Sequence, residues 1–530
     1  MLFTSYGFIG FAAILLALYY VIPKKAQWCL LLVASYVFYG IAGPTYIPYL
    51  IATTLSVFFS ALILERISDR QSAYLKEHRD SLSKEDKKKY KDAQNKKRVL
   101  TVTLCLVVCI GILAVTKYSA FFISGVNGML SSFGTGKGLS FVKLAVPLGI
   151  SFYTLQSIGY LIDVYRGTVK AERNVFKYAL FVSFFPQIVQ GPIGRYGEMS
   201  QTLYSPHPFD SKTVAFGLER VLWGYFKKLV IADRVFVALG TLISDSAKYN
   251  GAYAIVIMLL YTVQLYADFT GGIDITIGLS EAMGIRLSEN FVRPYFSKSL
   301  KEYWRRWHIS MCSFFRDYLF YPISVCKPMQ KITKLSKKLF GDKLGKRVPV
   351  YLSMAAVWFT TGIWHGAGWN FIVWGMCNWA ILTASEELEP LYKRFHKVFP
   401  YGNTFVFRLF QVGRTFILIC ALNLFDCYST VGKTLGVFFS SFTARNWSIL
   451  WDGSLLKLGL TTLDYVIILG GVLLMLTVSL VQRGGSVREK ILKYPYPGRF
   501  AIYYGLFLIV LLMGAYGIGY DASQFIYNQF

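Results

Sequence analysis

The sequence predicts an all-α protein that crosses a membrane many times, with roughly ten to twelve spans plus re-entrant or interfacial helices around a central tunnel. Three observations carry this. Of 530 residues, 54% are hydrophobic and 17% aromatic. Apolar runs of roughly 18 to 25 residues, the length a bilayer core demands, recur from one end to the other. The net charge of +27, from 56 basic and 29 acidic residues, sits in the short segments between those runs. Such a distribution follows from the positive-inside rule and an anionic inner leaflet. Nucleic-acid binding would need a basic face on a soluble module, and the sequence offers none.

The first three spans fall at 5–22, 27–43 and 46–64. No basic region or small-residue cleavage site marks the N-terminus, so the first run reads as a retained span and not a signal peptide. Residues 66–98 are the most polar segment, rich in lysine, and read as a solvated helical hairpin in the cytoplasm. Counting back through three spans puts the N-terminus outside. A span at 99–123 then returns to a Gly/Ser-rich loop. Within it, Gly134-Thr135-Gly136-Lys137-Gly138 lacks the first glycine and the final Ser or Thr of a phosphate loop.

Residues 144–160 and 176–193 are apolar but interrupted by Pro147, Gly149, Pro186 and Pro192. They read as broken or re-entrant elements lining a cavity, since irregular backbone survives at membrane depth only where protein or water surrounds it. Spans follow at 214–235 and 252–280, the latter carrying Asp268 and Asp274. From Tyr303 to Pro322, charges and aromatics are too dense for a span. They fit an amphipathic helix at the headgroup level, or one packed inside the protein. A second basic loop, 327–347, precedes a long apolar element at 349–384 whose glycines are able to split it into two half-helices. Spans at 405–426, 462–482 and 500–519 close the chain. The basic segment 483–499 is cytoplasmic, which sends the C-terminus outside. The side of 386–397 stays open. No repeat or compositional boundary appears, so residues 1–530 read as one membrane domain.

Chemistry concentrates in the stretch from Ala355 to Gly375. It is apolar enough for a bilayer, yet it holds one ionisable side chain, His365, between Gly362, Gly366 and Gly368. A charged group at the centre of a span costs roughly 2.5 kcal/mol or more, and even a neutral imidazole needs hydrogen-bond partners. The alternatives are a histidine satisfied by its neighbours and a functional one. The five histidines are scattered and form no His-x-x-x-His pair, and none of the eight cysteines forms a Cys-x-x-Cys pair, so neither a metal site nor disulfides are expected. No Gly-x-Ser-x-Gly elbow is present. His308 and His365 remain, on either side of the basic loop 327–347. If both elements start from that loop, the two side chains approach one site from the same membrane face. A neutral histidine in a water-poor tunnel suits general-base attack of a hydroxyl on a carbonyl, typically worth about 10²–10⁴-fold. Trp364, Asn370 and backbone N–H groups near Gly366 and Gly368 are candidate oxyanion donors.

Several pieces resemble the membrane-bound O-acyltransferase family. They are Trp304-Arg305-Arg306-Trp307-His308-Ile309-Ser310, Phe315-Arg316-Asp317-Tyr318-Leu319 and Gly362-Ile363-Trp364-His365-Gly366-Ala367-Gly368-Trp369-Asn370-Phe371. Gln190-Gly191-Pro192-Ile193, Tyr266-Ala267-Asp268-Phe269 and Asn290-Phe291 support them. The match runs in order over about 140–380, while the long C-terminal third and Phe525-Ile526-Tyr527 resemble the longer, polysaccharide-acetylating members more than the shorter D-alanyl transferases. The resemblance implies an enzyme of the bacterial cell membrane with no bound cofactor. It implies that His365 moves an acyl group from a cytoplasmic thioester, acetyl-CoA or another carrier, to an acceptor across the membrane. A secreted or membrane-anchored hydrolase-like acetyltransferase is the implied partner. His308 is implied to belong to the site. Gln190 and Asn290 join Trp364 and Asn370 as expected substrate-binding groups, with Arg316 and Asp317 as structural support, pairing with other protein groups to hold the His308 element. D-alanyl transfer to teichoic acid is the alternative within the family. A transporter or flippase is the alternative outside it, but that class predicts inverted repeats, and none is visible.

The charge pattern makes a topological prediction: a cysteine introduced at Tyr90 is labelled by an impermeant reagent only after the membrane is opened. Labelling in intact cells would invert the assignment.

Overall fold

The computed structural model describes residues 3–134, 138–140, 146–399, 401–402 and 404–516. Thr135 to Lys137 of the glycine-rich loop, Leu144, the end of the expected last span and Phe525-Ile526-Tyr527 lie outside them. Among the described residues every regular element is helical. Seven helical stretches are long and apolar enough to cross a membrane. The chain is an all-α polytopic membrane protein, and its described residues form two compact units: residues 7–214 with 280–287, and residues 3–6, 215–279 and 288 onward.

The first unit runs through α1 (Tyr6–Val21), α2 (Gln27–Ala42), α3 (Ile47–Glu77), α4 (Lys84–Leu113), α5 (Ser119–Ser132), α6 (Ile150–Arg166), α7 (Val175–Ser183), α8 (Phe185–Gln190) and α9 (Tyr196–Leu203) into the start of α10 (Ser211–Tyr225). The polar segment 66–98 is a hairpin, but its arms are the ends of two continuous helices, α3 and α4. Ser83 caps α4 by accepting from the Asp86 N–H at 3.1 Å, and Tyr74 stacks on Tyr90 with centroids 4.2 Å apart. The break between α7 and α8 is buried in protein. Pro186 prevents α7 from continuing, and side chains take over the orphaned backbone groups. Ser35 Oγ accepts from the Phe185 N–H at 3.2 Å, and Gln156 Nε2 donates to the Phe181 carbonyl at 2.8 Å.

The second unit continues α10 through a wide π turn, Phe226–Ala232, into α11 (Asp233–Ser244) and then α12 (Ala252–Ala282). Short helices follow: α13 (Leu300–Trp304), α14 (Ile309–Phe315) and α15 (Tyr321–Val325). Then come α16 (Lys327–Gly345), α17 (Val348–His365), α18 (Trp369–Glu387), α19 (Glu389–Val398), α20 (Phe405–Cys427), α21 (Val431–Ser440), α22 (Thr462–Val481), α23 (Val487–Ile491) and α24 (Tyr496–Met513).

Two expectations change here. The basic segment 327–347 is not a loop: it is mostly α16, kinked at Gly341, where φ is 74°. Its lysines alternate with Leu335, Leu339, Phe340 and Leu344, all exposed, which is the composition of a helix lying in a membrane interface. The stretch 214–235 is not a plain apolar span. It buries Lys227 and Lys228 in the π turn, and they face carboxylates on α12. Lys228 Nζ lies 2.5 Å from Asp268 and 2.7 Å from Asp233; Lys227 Nζ lies 2.5 Å from Asp274. Arg220 joins Asp274 at 2.8 Å and Glu289 at 2.6 Å. Glycine makes the approach possible. A Cβ on Gly224 would stand 2.6 Å from the Gly271 carbonyl oxygen, and one on Gly278 would stand 2.6 Å from that of Gly217. With no side chains at these points the helix backbones touch, and the short reach to Asp268 and Asp274 follows.

The Lys228 cluster has a measurable consequence. Removing one partner from a buried ion pair costs about 3–5 kcal/mol because the remaining charge stays desolvated. Lys228→Met should therefore abolish the monodisperse peak of detergent-purified protein or lower its thermal midpoint sharply, with Lys89→Met, at an exposed pair, as the unaffected control.

Candidate active site

His365 sits at the tip of a helical hairpin. It is the last residue of α17; Gly366 is extended and α18 starts at Trp369. The arms are antiparallel and close. At the open end Arg347 and Tyr351 both bond Glu387, at 2.5 Å each. Still near that end, Trp379 Nε1 donates to the Tyr351 carbonyl at 2.9 Å. Near the tip a Cβ on Gly375 would lie 2.3 Å from the Trp358 carbonyl oxygen, and one on Gly362 2.5 Å from that of Phe371. An α17 of 18 residues places the tip about 27 Å from Arg347 at 1.5 Å per residue. Glu386 and Glu387 lie at the Arg347 end, so the start of the 386–397 segment shares the end of the hairpin that follows α16. The glycines thus fold the long apolar element back on itself.

His308 is held differently. It stands between α13 and α14 with φ at 47°, a left-handed conformation that a non-glycine residue rarely adopts. The segment 290–292 holds it there: the Val292 N–H donates to the Arg306 carbonyl at 2.9 Å, and the Ile309 N–H to the Asn290 carbonyl at 3.0 Å. Asn290 Oδ1 accepts from Ser310 N and Ser310 Oγ at 3.0 and 2.9 Å. The Asn290 side-chain nitrogen lies 3.3 Å from His308 Nδ1. Asn290 Oδ1 lies at 3.4 Å from the same nitrogen, so the asparagine amide faces Nδ1 and leaves Nε2 on the other side of the ring. Phe269 meets the His308 ring edge-on at 5.0 Å. The imidazole is fully buried, and burial, with the nearby His365, holds it well below the ordinary histidine range, so it is neutral at physiological pH.

The two histidines meet through Trp364. Its buried ring lies 5.8 Å from the His308 ring and 5.2 Å from that of His365, centroid to centroid. Trp374 packs edge-on against His365 at 4.7 Å. Behind them, Trp304 of α13 donates from Nε1 to Asn378 Oδ1 at 3.0 Å and packs on Trp358 and Trp374 at 4.9 and 5.7 Å. This tryptophan cage fastens the His308 element to the hairpin.

The other candidates fall in several places. Asn290 is a positioning residue for His308. Asn370 uses both amide hydrogens on the carbonyls of Phe425 and Tyr428, at 3.0 and 3.2 Å. It ties the hairpin tip to the end of α20 and has no amide hydrogen left for an oxyanion. Gln190 is fully buried at the end of α8, in the first unit, whereas the histidines are in the second. Arg316 departs from the expected pairing with other elements: it pairs with its neighbour Asp317 at 2.8 Å and its side chain is 57% exposed, because the π turn Arg316–Phe320 carries it outward. Asn378 was not singled out from the sequence, and Trp304 and Trp374 entered only as parts of longer stretches; nothing local marks them as a cage. Among the described residues no three His, Cys, Asp or Glu side chains cluster as metal ligands.

The family model for the membrane-bound O-acyltransferases matches residues 170–336, which include His308 and end before His365. The chain is 32% identical over 428 residues to the probable alginate O-acetylase AlgI of Azotobacter vinelandii, covering 80% of this chain and 76% of that one. The chain belongs to the membrane-bound O-acyltransferase family. It is therefore an acyltransferase. It is also 29% identical over 464 residues to the peptidoglycan O-acetyltransferase of Helicobacter pylori, across 82% of this chain and 78% of the relative. To the teichoic acid D-alanyltransferase of Bacillus subtilis it is 26% identical over 256 residues, 47% of this chain and 61% of that one.

The buried His308 predicts a pH dependence. Its pKa is lowered in the fold, so the unfolded chain takes up the proton more readily. Its contribution to stability is fully present above about pH 6.5, the unfolded value, and is lost as pH falls below it. The thermal midpoint should drop between about pH 7.5 and about pH 5.5, and drop less in His308→Asn, since asparagine tolerates the left-handed backbone and has no group that titrates there.

Proposed function

We propose that this acyltransferase moves an acetyl group from a cytoplasmic thioester to a hydroxyl on the far side of the membrane, for O-acetylation of a cell-envelope polysaccharide. The convergence of His308 and His365 on Trp364 is the observation that carries the reading. His365 is the general base. A hydroxyl at the hairpin tip gives its proton to the imidazole as its oxygen attacks the thioester carbonyl. The tetrahedral oxyanion collapses, the carbon–sulfur bond breaks, and the thiolate leaves without needing a proton. The imidazolium then returns its proton to solvent or to the thiolate. His308, neutral and held at Nδ1 by Asn290, serves through Nε2 as donor or positioning group for the oxygen that gains charge.

Depth supports the direction of transfer. If α16 lies at the cytoplasmic interface, a tip about 27 Å from Arg347 is remote from that surface. A donor from one face and an acceptor from the other then meet at His365. Relatives named for alginate and peptidoglycan acetylation cover about four-fifths of the chain, whereas the D-alanyltransferase covers under half, which favours an acetyl donor such as acetyl-CoA and a sugar hydroxyl. The cell is bacterial, the membrane is the plasma membrane, and a secreted or membrane-anchored hydrolase-like acetyltransferase completes the transfer.

The test is radiolabelled acetyl transfer by purified, monodisperse variants. His365→Ala and His365→Gln should each lose at least about 10²-fold in turnover, as removal of a general base requires. Retention of a tenth or more of wild-type turnover by His365→Ala would make the histidine structural.

A further inference from the structure

Away from the histidines, the second unit contains a partly open cavity of about 760 Å³. One wall is aliphatic: Leu474 and Val478 of α22 face Leu506 and Ile509 of α24, with Trp223 of α10 beside them. These two helices carry exposed Leu469, Leu473, Leu511 and Leu512, so their outer surfaces face hydrocarbon. The other end is charged. Arg220, Arg293 and Arg488 line it with Glu219 and Glu289. Arg220 takes up Glu289 in a two-pronged pair, with both contacts at 2.6 Å, as well as Asp274. Arg488 donates to the Phe216 carbonyl at 2.7 Å and lies over that ring.

Arg293 is the exception. Among the described residues no carboxylate pairs with it, its Nε is shielded from solvent without an acceptor, and its guanidinium lies over the Phe296 ring at 4.7 Å. Burial, together with the neighbouring guanidinium groups of Arg306 and Arg483, pushes it below the ordinary arginine value. Its backbone is strained as well, with φ at 48°. His308 is the other non-glycine residue with positive φ among those described. A strained, charge-crowded cation thus stands at the polar end of a half-apolar cavity.

We propose that the cavity binds an anionic phospholipid, its phosphate against Arg293 and one acyl chain along Leu474, Val478, Leu506 and Ile509. The aliphatic wall between two lipid-facing helices favours a lipid over a soluble phosphate. The site also bears on the active centre. Phe291 lines the cavity, packs on Trp307 at 4.9 Å, and adjoins Asn290, which positions His308. A bound lipid braces the 290–293 segment from the side opposite the histidine.

The full chain in detergent, mixed with phosphatidylglycerol or phosphatidylcholine micelles, provides the test, read by native mass spectrometry and by thermal midpoint. Two variants probe the two ends. Arg293→Asn removes the cation and keeps a residue that tolerates the left-handed backbone. Gly505→Phe fills the cavity: Gly505 lines it, and a Cβ there meets nothing within 4 Å, so the fold has room for the ring. Wild type should retain phosphatidylglycerol over phosphatidylcholine and gain stability from it, Arg293→Asn should lose that preference by about tenfold or more, and Gly505→Phe should retain neither lipid. Equal retention of the two lipids by wild type, unchanged retention in both variants, or displacement of phosphatidylglycerol by millimolar inorganic phosphate or coenzyme A would each overturn the proposal. None of these readouts depends on acyl transfer, so they stand apart from the assignment of His365.

Discussion

One hydrogen bond, from Trp304 Nε1 to Asn378, governs the geometry of the centre. It joins the short helix ahead of His308 to the second arm of the hairpin that carries His365. A buried indole N–H without an acceptor costs about 1–3 kcal/mol, so the pair holds the two elements at one spacing. The tryptophan cage adds edge-to-face contacts that admit little sliding. Asn378 also donates to the Trp374 carbonyl at 2.9 Å, which anchors the acceptor itself. The distance between the histidines is thereby a property of large, rigid aromatics and not of flexible loops.

The hairpin and the ion cluster solve the same problem in two ways. Both place polar groups deep in an apolar body, and both rely on glycine. Gly362 and Gly375 let α17 and α18 approach until backbone meets backbone, and Gly217, Gly224, Gly271 and Gly278 do the same for α10 and α12. The close approach converts long side chains into short, saturated contacts, as in Lys228 with Asp268 and Asp233. The same closeness packs the hairpin tip: a Cβ on Gly366 would stand 2.2 Å from the Phe371 ring, and His365 is partly buried while His308 is fully so.

Much of this was legible residue by residue. Apolar run lengths marked the spans, Pro186 marked the break before α8, and an ionisable side chain among glycines marked His365. The misreadings share a cause. Residues 327–347 read as a loop because lysine dominates the composition, yet Leu335, Leu339 and Leu344 keep a helical face. Residues 214–235 read as a span from their apolar length, and the partners of Lys227 and Lys228 lie some 40 residues away on α12. Asn290 and Asn370 read as ligand groups because a buried amide is equally suited to a substrate or to a backbone carbonyl, and only the positions of Ser310, Phe425 and Tyr428 decide between them.

By itself, then, the sequence determined the class of the molecule. Hydropathy, basic segments and the spacing of motifs are local quantities, and they suffice for an all-helical membrane protein of the acyltransferase family with His308 and His365 as its candidates. The tertiary structure decided which polar groups are spent and which are left over. Whether a buried donor or cation faces a substrate or its own chain depends on contacts between residues tens to hundreds of positions apart. Asn370 bonded to α20, Lys228 bonded to α12 and Arg293 without a carboxylate among the described residues carry no signature in their neighbours along the chain. They become distinct only when the helices pack, because the cost of an unmet polar group is set by what the fold brings beside it.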